Sequence, residues 1–220
     1  STGKNLSWTL SSDGALTISG TGAMTNFAFG ESPWYGNTAI KNVIIAEGVT
    51  SIGDDAFYGC TGLKEVTLPD SITYFGYNLF QNCTGLQSIN YPAGLIETHS
   101  WANVFTGCSS LKSITVPEGV TTLCAYVFSG ANYLEEVILP ESLKIIGGSA
   151  LAGCVRLKSI EIPDSVTEIR SGAFNGCTGM TGGLVIPAAV TSIGSYAFSG
   201  CTGLDGKLTI EAGAKTIGNY

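Results

Sequence analysis

Apolar and polar positions keep a fixed beat along most of the chain. In Leu63-Lys64-Glu65-Val66-Thr67-Leu68-Pro69, Val66 and Leu68 alternate with Glu65 and Thr67, the period of a short strand with one buried face. The same beat returns at Val43/Ile45, Ile114/Val116, Val137/Leu139, Ile160/Ile162, Leu184/Ile186 and Leu208/Ile210. A proline follows most of these strands (Pro69, Pro92, Pro117, Pro140, Pro163, Pro187). Having no N–H, it ends ladder pairing and opens a turn. An aliphatic residue and an Ile-Gly pair come next, as in Val49…Ile52-Gly53 and Val190…Ile193-Gly194. They carry the chain back across the core, and the glycine is expected to allow a tight or positive-φ turn. Ala56-Phe57-Tyr58-Gly59-Cys60 then reads as a brief helical turn with Phe57 and Cys60 facing inward.

This whole unit repeats. From Phe57 the steps to Phe80, Phe105, Phe128, Leu151, Phe174 and Phe198 are 23, 25, 23, 23, 23 and 24 residues. Such a period marks a solenoid, whose coils bury their apolar side only against their neighbours. The stacked strands are expected to form one parallel sheet. Residues 1–39 depart from the pattern. Trp8-Thr9-Leu10 and Leu16-Thr17-Ile18 flank a polar Ser11-Ser12-Asp13-Gly14 turn, the signature of a hairpin. With Met24, Phe27, Phe29 and Trp34 that segment is expected to cap the first coil. The predicted organisation is a cap over 1–39 and about seven to eight 23-residue coils over 40–220. The chain stops within a repeat at Tyr220, so it is expected either to be a fragment of a longer chain or to self-associate through the sheet edge at Leu208-Thr209-Ile210.

Cysteine usage fits the repeat. Cys60, Cys83, Cys108, Cys154, Cys177 and Cys201 share one position, where Ala131 stands in once. Side chains in one column point the same way, so these thiols are expected to be buried, unpaired and packed as small hydrophobes. Cys124 lies outside the column, where other coils carry Gly53, Gly76, Gly147 and Gly194; structural filler is its favoured reading, although of the seven thiols it is the first candidate for exposure. The net charge of −7 and the thin scatter of ten Lys and Arg provide no basic patch, which argues against nucleic acid. No apolar run is long enough for a membrane-spanning helix.

The coil Leu-x-x-Val-x-Leu-Pro-x-x-Val-Thr-x-Ile-Gly-x-x-Ala-Phe-x-x-Cys closely resembles the BspA-type leucine-rich repeat. The leader from Trp8 through Gly14-Ala15-Leu16-Thr17-Ile18 to Met24 is similar to the segment that precedes such repeats in bacterial surface proteins. The resemblance implies a leucine-rich repeat solenoid, right-handed and curved, with a parallel sheet of short strands on its concave face and short helical turns and irregular coil on its convex side. It also implies secretion or surface display, with any signal peptide removed, and binding to host matrix, other proteins or cells. The asparagine ladder of ordinary leucine-rich repeats is absent.

No nucleophile, base or metal cluster of catalytic spacing occurs, and no cofactor is expected. Acidic residues after the strands (Glu47, Asp70, Glu118, Glu141, Asp164) give one carboxylate per coil, too few for calcium. Attention therefore falls on the surface. Outward strand positions at Ile44, Glu65, Thr67, Ser88, Asn90, Ser113, Thr115, Glu136, Ile138 and Glu161 are expected to line the concave face. Their uncharged polar and aliphatic mixture suits a protein or glycan ligand. A second candidate is the two-residue insertion near His99 and Trp101. There Trp101 is expected to fold back over the bulge, with recognition as the alternative. The chain thus reads as a non-enzymatic binding module, or else as a stalk presenting another domain.

Overall fold

The structure is a computed structural model that describes residues 2–211 and 213–219. The chain winds into stacked coils that contribute rungs to two rows of parallel strands. The first row contains six of the seven strands predicted from alternation, Asn42–Ile45, Glu65–Thr67, Ser113–Thr115, Glu136–Ile138, Leu184–Ile186 and Leu208–Ile210, together with Ser88–Ile89, which alternation did not single out; the seventh, at Ile160/Ile162, does not form. The repeat fixes their register, with Val43 opposite Val66, Ile114 opposite Val137 and Leu184 opposite Leu208. Each rung thereby turns its aliphatic side chains to the same interior.

A second row corrects the expectation of a single sheet. It comprises Val49–Ile52, Tyr74–Phe75, Glu97–Thr98, Thr122–Leu123, Ile145–Ile146, Glu168–Ile169, Ser192–Ile193 and Thr216–Ile217. Most of these rungs have only two residues, too few for alternation to register in a sequence. They form because the neighbouring coil presents the equivalent segment in register, as with Ile145 opposite Glu168 and Ile146 opposite Ile169. The glycines that follow also have a different role from the one expected. Gly53 and Gly194 do not have positive φ. A Cβ on Gly53 would lie 1.9 Å from the Thr25 carbonyl oxygen, and one on Gly194 would lie 2.3 Å from the Ser171 nitrogen. These glycines let successive coils touch.

The predicted helical turns are absent, and the described residues contain no helix. At Ala56–Cys60 the backbone alternates its hydrogen bonds instead. Asp55, Phe57 and Gly59 donate to the carbonyls of Tyr77, Leu79 and Gln81 in the next coil, at 2.8, 3.0 and 2.8 Å. The intervening Tyr58 and Cys60 close tight turns onto Asp55 and Phe57. Positive φ at Asp55 and Gly59 rotates alternate peptides toward the neighbour. A one-turn helix has a costly nucleus, whereas the stacked coil offers a partner already in place.

The core is a set of columns. Rings of Trp34, Phe57 and Phe80 stack with centroids 5.2 and 5.3 Å apart, and Phe105 and Phe128 continue the series. Beside them every thiol of the repeat column donates to a carbonyl of the preceding coil: Cys60 to Trp34, Cys83 to Phe57, Cys108 to Phe80, Cys154 to Phe128, Cys177 to Leu151 and Cys201 to Phe174. All are unpaired, and all but the half-buried Cys201 are fully enclosed. Burial pushes the thiols of Cys108 and Cys154 up to about 12. Cys124 is buried as well, in agreement with its reading as filler. Its Sγ lies 3.3 Å from the Leu95 carbonyl, in the lengthened coil where the second row is interrupted between Thr98 and Thr122.

At the N-terminal end Leu6–Leu10 pairs antiparallel with Ala15–Gly20, placing Trp8 opposite Ile18. The second arm of this hairpin then pairs in parallel with Asn42–Ile45, and Gly22–Ala23 pairs with Val49–Ile52. Leu16, Ile18, Met24 and Trp34 cover the first coil. Phe29, expected among them, lies outside and packs edge-on against Tyr35 and Tyr58.

Candidate interaction surface

All ten outward positions singled out on the first row are exposed: Ile44, Glu65, Thr67, Ser88, Asn90, Ser113, Thr115, Glu136, Ile138 and Glu161. Register places Thr67 beside Ile44, Ser88 beside Glu65, Glu136 beside Ser113 and Ile138 beside Thr115. Three aliphatic side chains stand in this face with their partners in the core already supplied by neighbours: Ile44 is 43% exposed, Ile138 48% and Val185 54%.

The positions do not form one continuous surface. The row is interrupted between Ser88–Ile89 and Ser113–Thr115, and again on both sides of residues 159–162, which lie in no strand. Asn90 has a structural task on the way. Its side-chain amide accepts from the Leu68 N–H and donates to the Leu68 carbonyl, both at 2.8 Å, and so replaces a rung of backbone.

Charge along this face is organised by the repeat. The Asp70 carboxylate accepts from the Ala93 N–H at 2.9 Å, and Glu118 accepts from Glu141 and Ser142 at 3.0 and 3.3 Å. Such carboxylates cap the next coil's turn, a local use that single-sequence spacing did not reveal. No group of three His, Cys, Asp or Glu among the described residues is placed to hold a metal ion. Beside the face, Lys158 and Lys112 approach Glu135 at 2.5 and 3.8 Å, while Lys112 and Arg156 lie over the Tyr133 ring. The hydrogen bond from Lys158 holds the Glu135 carboxyl below its ordinary range.

The insertion behaves differently from its expectation. Trp101 is 71% exposed and does not fold back over the bulge. Its φ of 62° belongs to the left-handed region, and its ring leans outward against Tyr126, 5.6 Å away. Ala102 and Val104 fill the interior there. His99 is exposed beside Tyr77, with Nδ1 2.6 Å from the Ser100 carbonyl. Trp101 and His99 lie outside the first-row strands, so the two candidate areas are not brought together.

Coils in register, two parallel rows and a face of outward side chains define a β-solenoid scaffold of a typically non-enzymatic kind. The chain belongs to the BspA type leucine rich repeat family, whose pattern matches residues 28–102 and 101–220 with six copies. Among solved structures it is similar to a leucine-rich repeat protein from Eubacterium ventriosum, with 26% identity and a TM-score of 0.51 over 99% of this chain and 73% of that one. It is also similar to the leucine-rich repeat protein of T. pallidum, with 27% identity and a TM-score of 0.60 over 96% of this chain and 97% of that one. No curated protein matches the chain.

Proposed function

We propose that the chain is a non-enzymatic interaction module of a secreted or surface-displayed bacterial protein, and that it binds a protein or glycan through the outward face of the first row. The observation that carries this reading is the exposure of Ile44, Ile138 and Val185 among Thr, Ser and Asn on a rigid set of strands. Aliphatic groups in that setting add nothing to the core. They are available to a ligand that makes many modest contacts across a preorganised face. The observation favours binding over a stalk, for which a uniformly polar face would serve.

The experiment is a binding panel of matrix proteins and glycans against the 220-residue chain. Any ligand found should lose affinity on Thr115→Lys and on Ile138→Glu, with the thermal transition little changed. Retained binding after both changes, with loss on Trp101→Ala, would move the site to the insertion. A panel without any ligand would favour the stalk.

A further inference from the structure

The coils of residues 84–108 and 109–131 meet without a backbone ladder. The first row stops between Ser88–Ile89 and Ser113–Thr115, and the second between Glu97–Thr98 and Thr122–Leu123. On the turn side Asn78, Phe80 and Asn82 donate forward to Ala102, Val104 and Thr106, whereas Asn103, Phe105 and Gly107 donate to no backbone carbonyl of the following coil. The forward bonds resume from Tyr126, Phe128 and Gly130. The thiol column breaks at the same level. Cys108 reaches back to Phe80 and Cys154 to Phe128, but Ala131 stands between them and has no thiol to offer the Phe105 carbonyl. Leu111 turns locally onto Cys108 where the chain passes from one coil to the next. Apart from that turn, no backbone–backbone hydrogen bond joins the two coils among the described residues.

Among the described residues no other junction loses all of these links together. Around residues 159–162 the first row is also missing, yet the second row runs on from Ile145–Ile146 through Glu168–Ile169 to Ser192–Ile193. The turn-side bonds from Leu151 to Ala173 and from Phe174 to Ala197 persist there, as do the links of Cys177 and Cys201. What crosses from 84–108 to 109–131 is side chains. Ser109 and Ser110 donate to the Thr84 carbonyl, Cys124 to Leu95 and Thr98 to Ala125, while the Asn132 amide accepts from the Gly107 N–H at 3.4 Å. The Tyr91 hydroxyl reaches the Cys124 thiol at 3.6 Å. Thr98 is buried at a place that Ile52, Phe75, Leu123 and Ile146 fill in other coils, so a hydroxyl stands there in place of an apolar side chain. Phe105 and Phe128 still touch, with centroids 6.0 Å apart, but their planes lie at 31°, against 6° for Phe57 and Phe80. Apolar contact holds two surfaces together without direction, whereas hydrogen bonds fix how they are aligned.

We infer that the solenoid is two cooperative bodies, one ending at residue 108 and the other beginning at 109, joined at a yielding junction beside the insertion. In a stacked-repeat fold stability is a sum of coil terms and nearest-neighbour interfaces, so cooperativity divides at the weakest interface. The first body carries the cap and the outward Ile44, Thr67 and Asn90; the second carries Thr115 and Ile138. The outward face is thereby split into two panels whose relative angle changes at the junction while each panel stays folded. The division does not depend on either panel binding anything.

The test exploits where the tryptophans lie. Trp8, Trp34 and Trp101 all belong to the first body. Trp101 leans on Tyr126 of the second, so the measurements use the full chain with Trp101→Phe. Added to it, Phe174→Ala should lower the denaturant midpoint at which amides of residues 111–211 lose exchange protection, while the midpoint of Trp8 and Trp34 emission moves less than half as far. If Phe174→Ala unfolds the second body already in water, native emission from Trp8 and Trp34 is still expected. Phe57→Ala should do the reverse, lowering the emission midpoint and leaving the amides of Phe128, Leu151 and Phe174 protected, even where the first body is unfolded outright. An emission midpoint that moves half as far or more with Phe174→Ala, or protection at Phe128 and Leu151 lost together with the emission change in Phe57→Ala, would overturn the proposal and make the chain one cooperative unit.

Discussion

The thiol of Cys83 donates to the carbonyl of Phe57, 3.0 Å away and 26 residues earlier in the chain. The same link joins each column cysteine to the coil before it, so the small hydrophobe expected from sequence is also a donor that adds a second hydrogen bond to a buried carbonyl. Cys83→Ala should cost about 1–2 kcal/mol, combining a lost atom with one of the two hydrogen bonds to the Phe57 carbonyl, which keeps its bond from the Cys60 N–H. Cys177→Ala should cost a similar amount. Denaturant titration measures both, and a neutral Cys83→Ala would show that the link contributes nothing.

The same burial makes the fold sensitive to alkali. The folded-state titration of Cys108 and Cys154 is pushed up to about 12 by desolvation, whereas a thiol in the unfolded chain titrates at about 8.5. Between these values the unfolded state has released protons that the folded state retains. Stability is therefore intact below the unfolded value and falls as pH rises through this window. Melting temperatures from pH 8 to 11 should decline, and Cys154→Ala should flatten the slope. A slope unaffected by that change would place the alkaline sensitivity elsewhere.

Gly147 and Gly148 are adjacent and predict opposite outcomes. A Cβ at Gly147 would lie 2.4 Å from the Leu123 carbonyl oxygen, while one at Gly148 would have its nearest neighbour at 3.5 Å. Gly147→Ala should cost about 3 kcal/mol, because backbone on the preceding coil must move. Gly148→Ala should be near neutral. Equal melting temperatures for the two variants would defeat the close-approach account of the Ile-Gly pair.

The ring column carries more of the stability than the thiols. Phe174 is fully buried and stacks on Phe198 with centroids 5.1 Å apart. Phe174→Ala should cost about 3–5 kcal/mol, against about 1–2 for Cys177→Ala in the same coil. Chemical denaturation of the pair, measured side by side, checks that order.

Leu208, Ile210 and Ile217 are exposed at the last described coil. If the 220-residue chain self-associates through this apolar edge, Leu208→Glu with Ile217→Lys should lower the association seen by sedimentation at high concentration. A monomeric parent chain at those concentrations would remove this expectation.

Much of the architecture was legible because repetition multiplies a weak signal. One Val66/Leu68 alternation means little, whereas seven copies fix strands, register and the inward thiol column. The second row was not legible, since a two-residue rung such as Ile145–Ile146 exists only through its neighbours. The turns misled for a related reason: Ala56–Cys60 has a helical look in isolation, but its N–H groups are claimed by the next coil. On the candidate face alternation placed the outward residues in solvent as found, but it also called for a strand at Ile160/Ile162 that does not form. One side of that missing rung follows from a one-residue difference, four steps from Met180 to Leu184 against three from Leu157 to Ile160, which is visible at Gly182-Gly183 but without meaning until the rungs are aligned.

The turn side has an electrical consequence. From Asp55, Phe57 and Gly59 to Tyr77, Leu79 and Gln81, and again from Asn78, Phe80 and Asn82 to Ala102, Val104 and Thr106, every N–H points forward and every carbonyl points back. The peptide units therefore run head to tail in three parallel files, the arrangement that gives an α-helix its macrodipole. Here the files lie along the solenoid axis, and the chain crosses them once per coil. Among the described residues the files stop at Thr106, since Asn103, Phe105 and Gly107 donate to no backbone carbonyl of the following coil, and they resume from Tyr126, Phe128 and Gly130; each stretch gathers partial positive charge on its last coil and partial negative charge on its first, the reverse of a helix read from N- to C-terminus. Added coils lengthen this dipole without changing its sense.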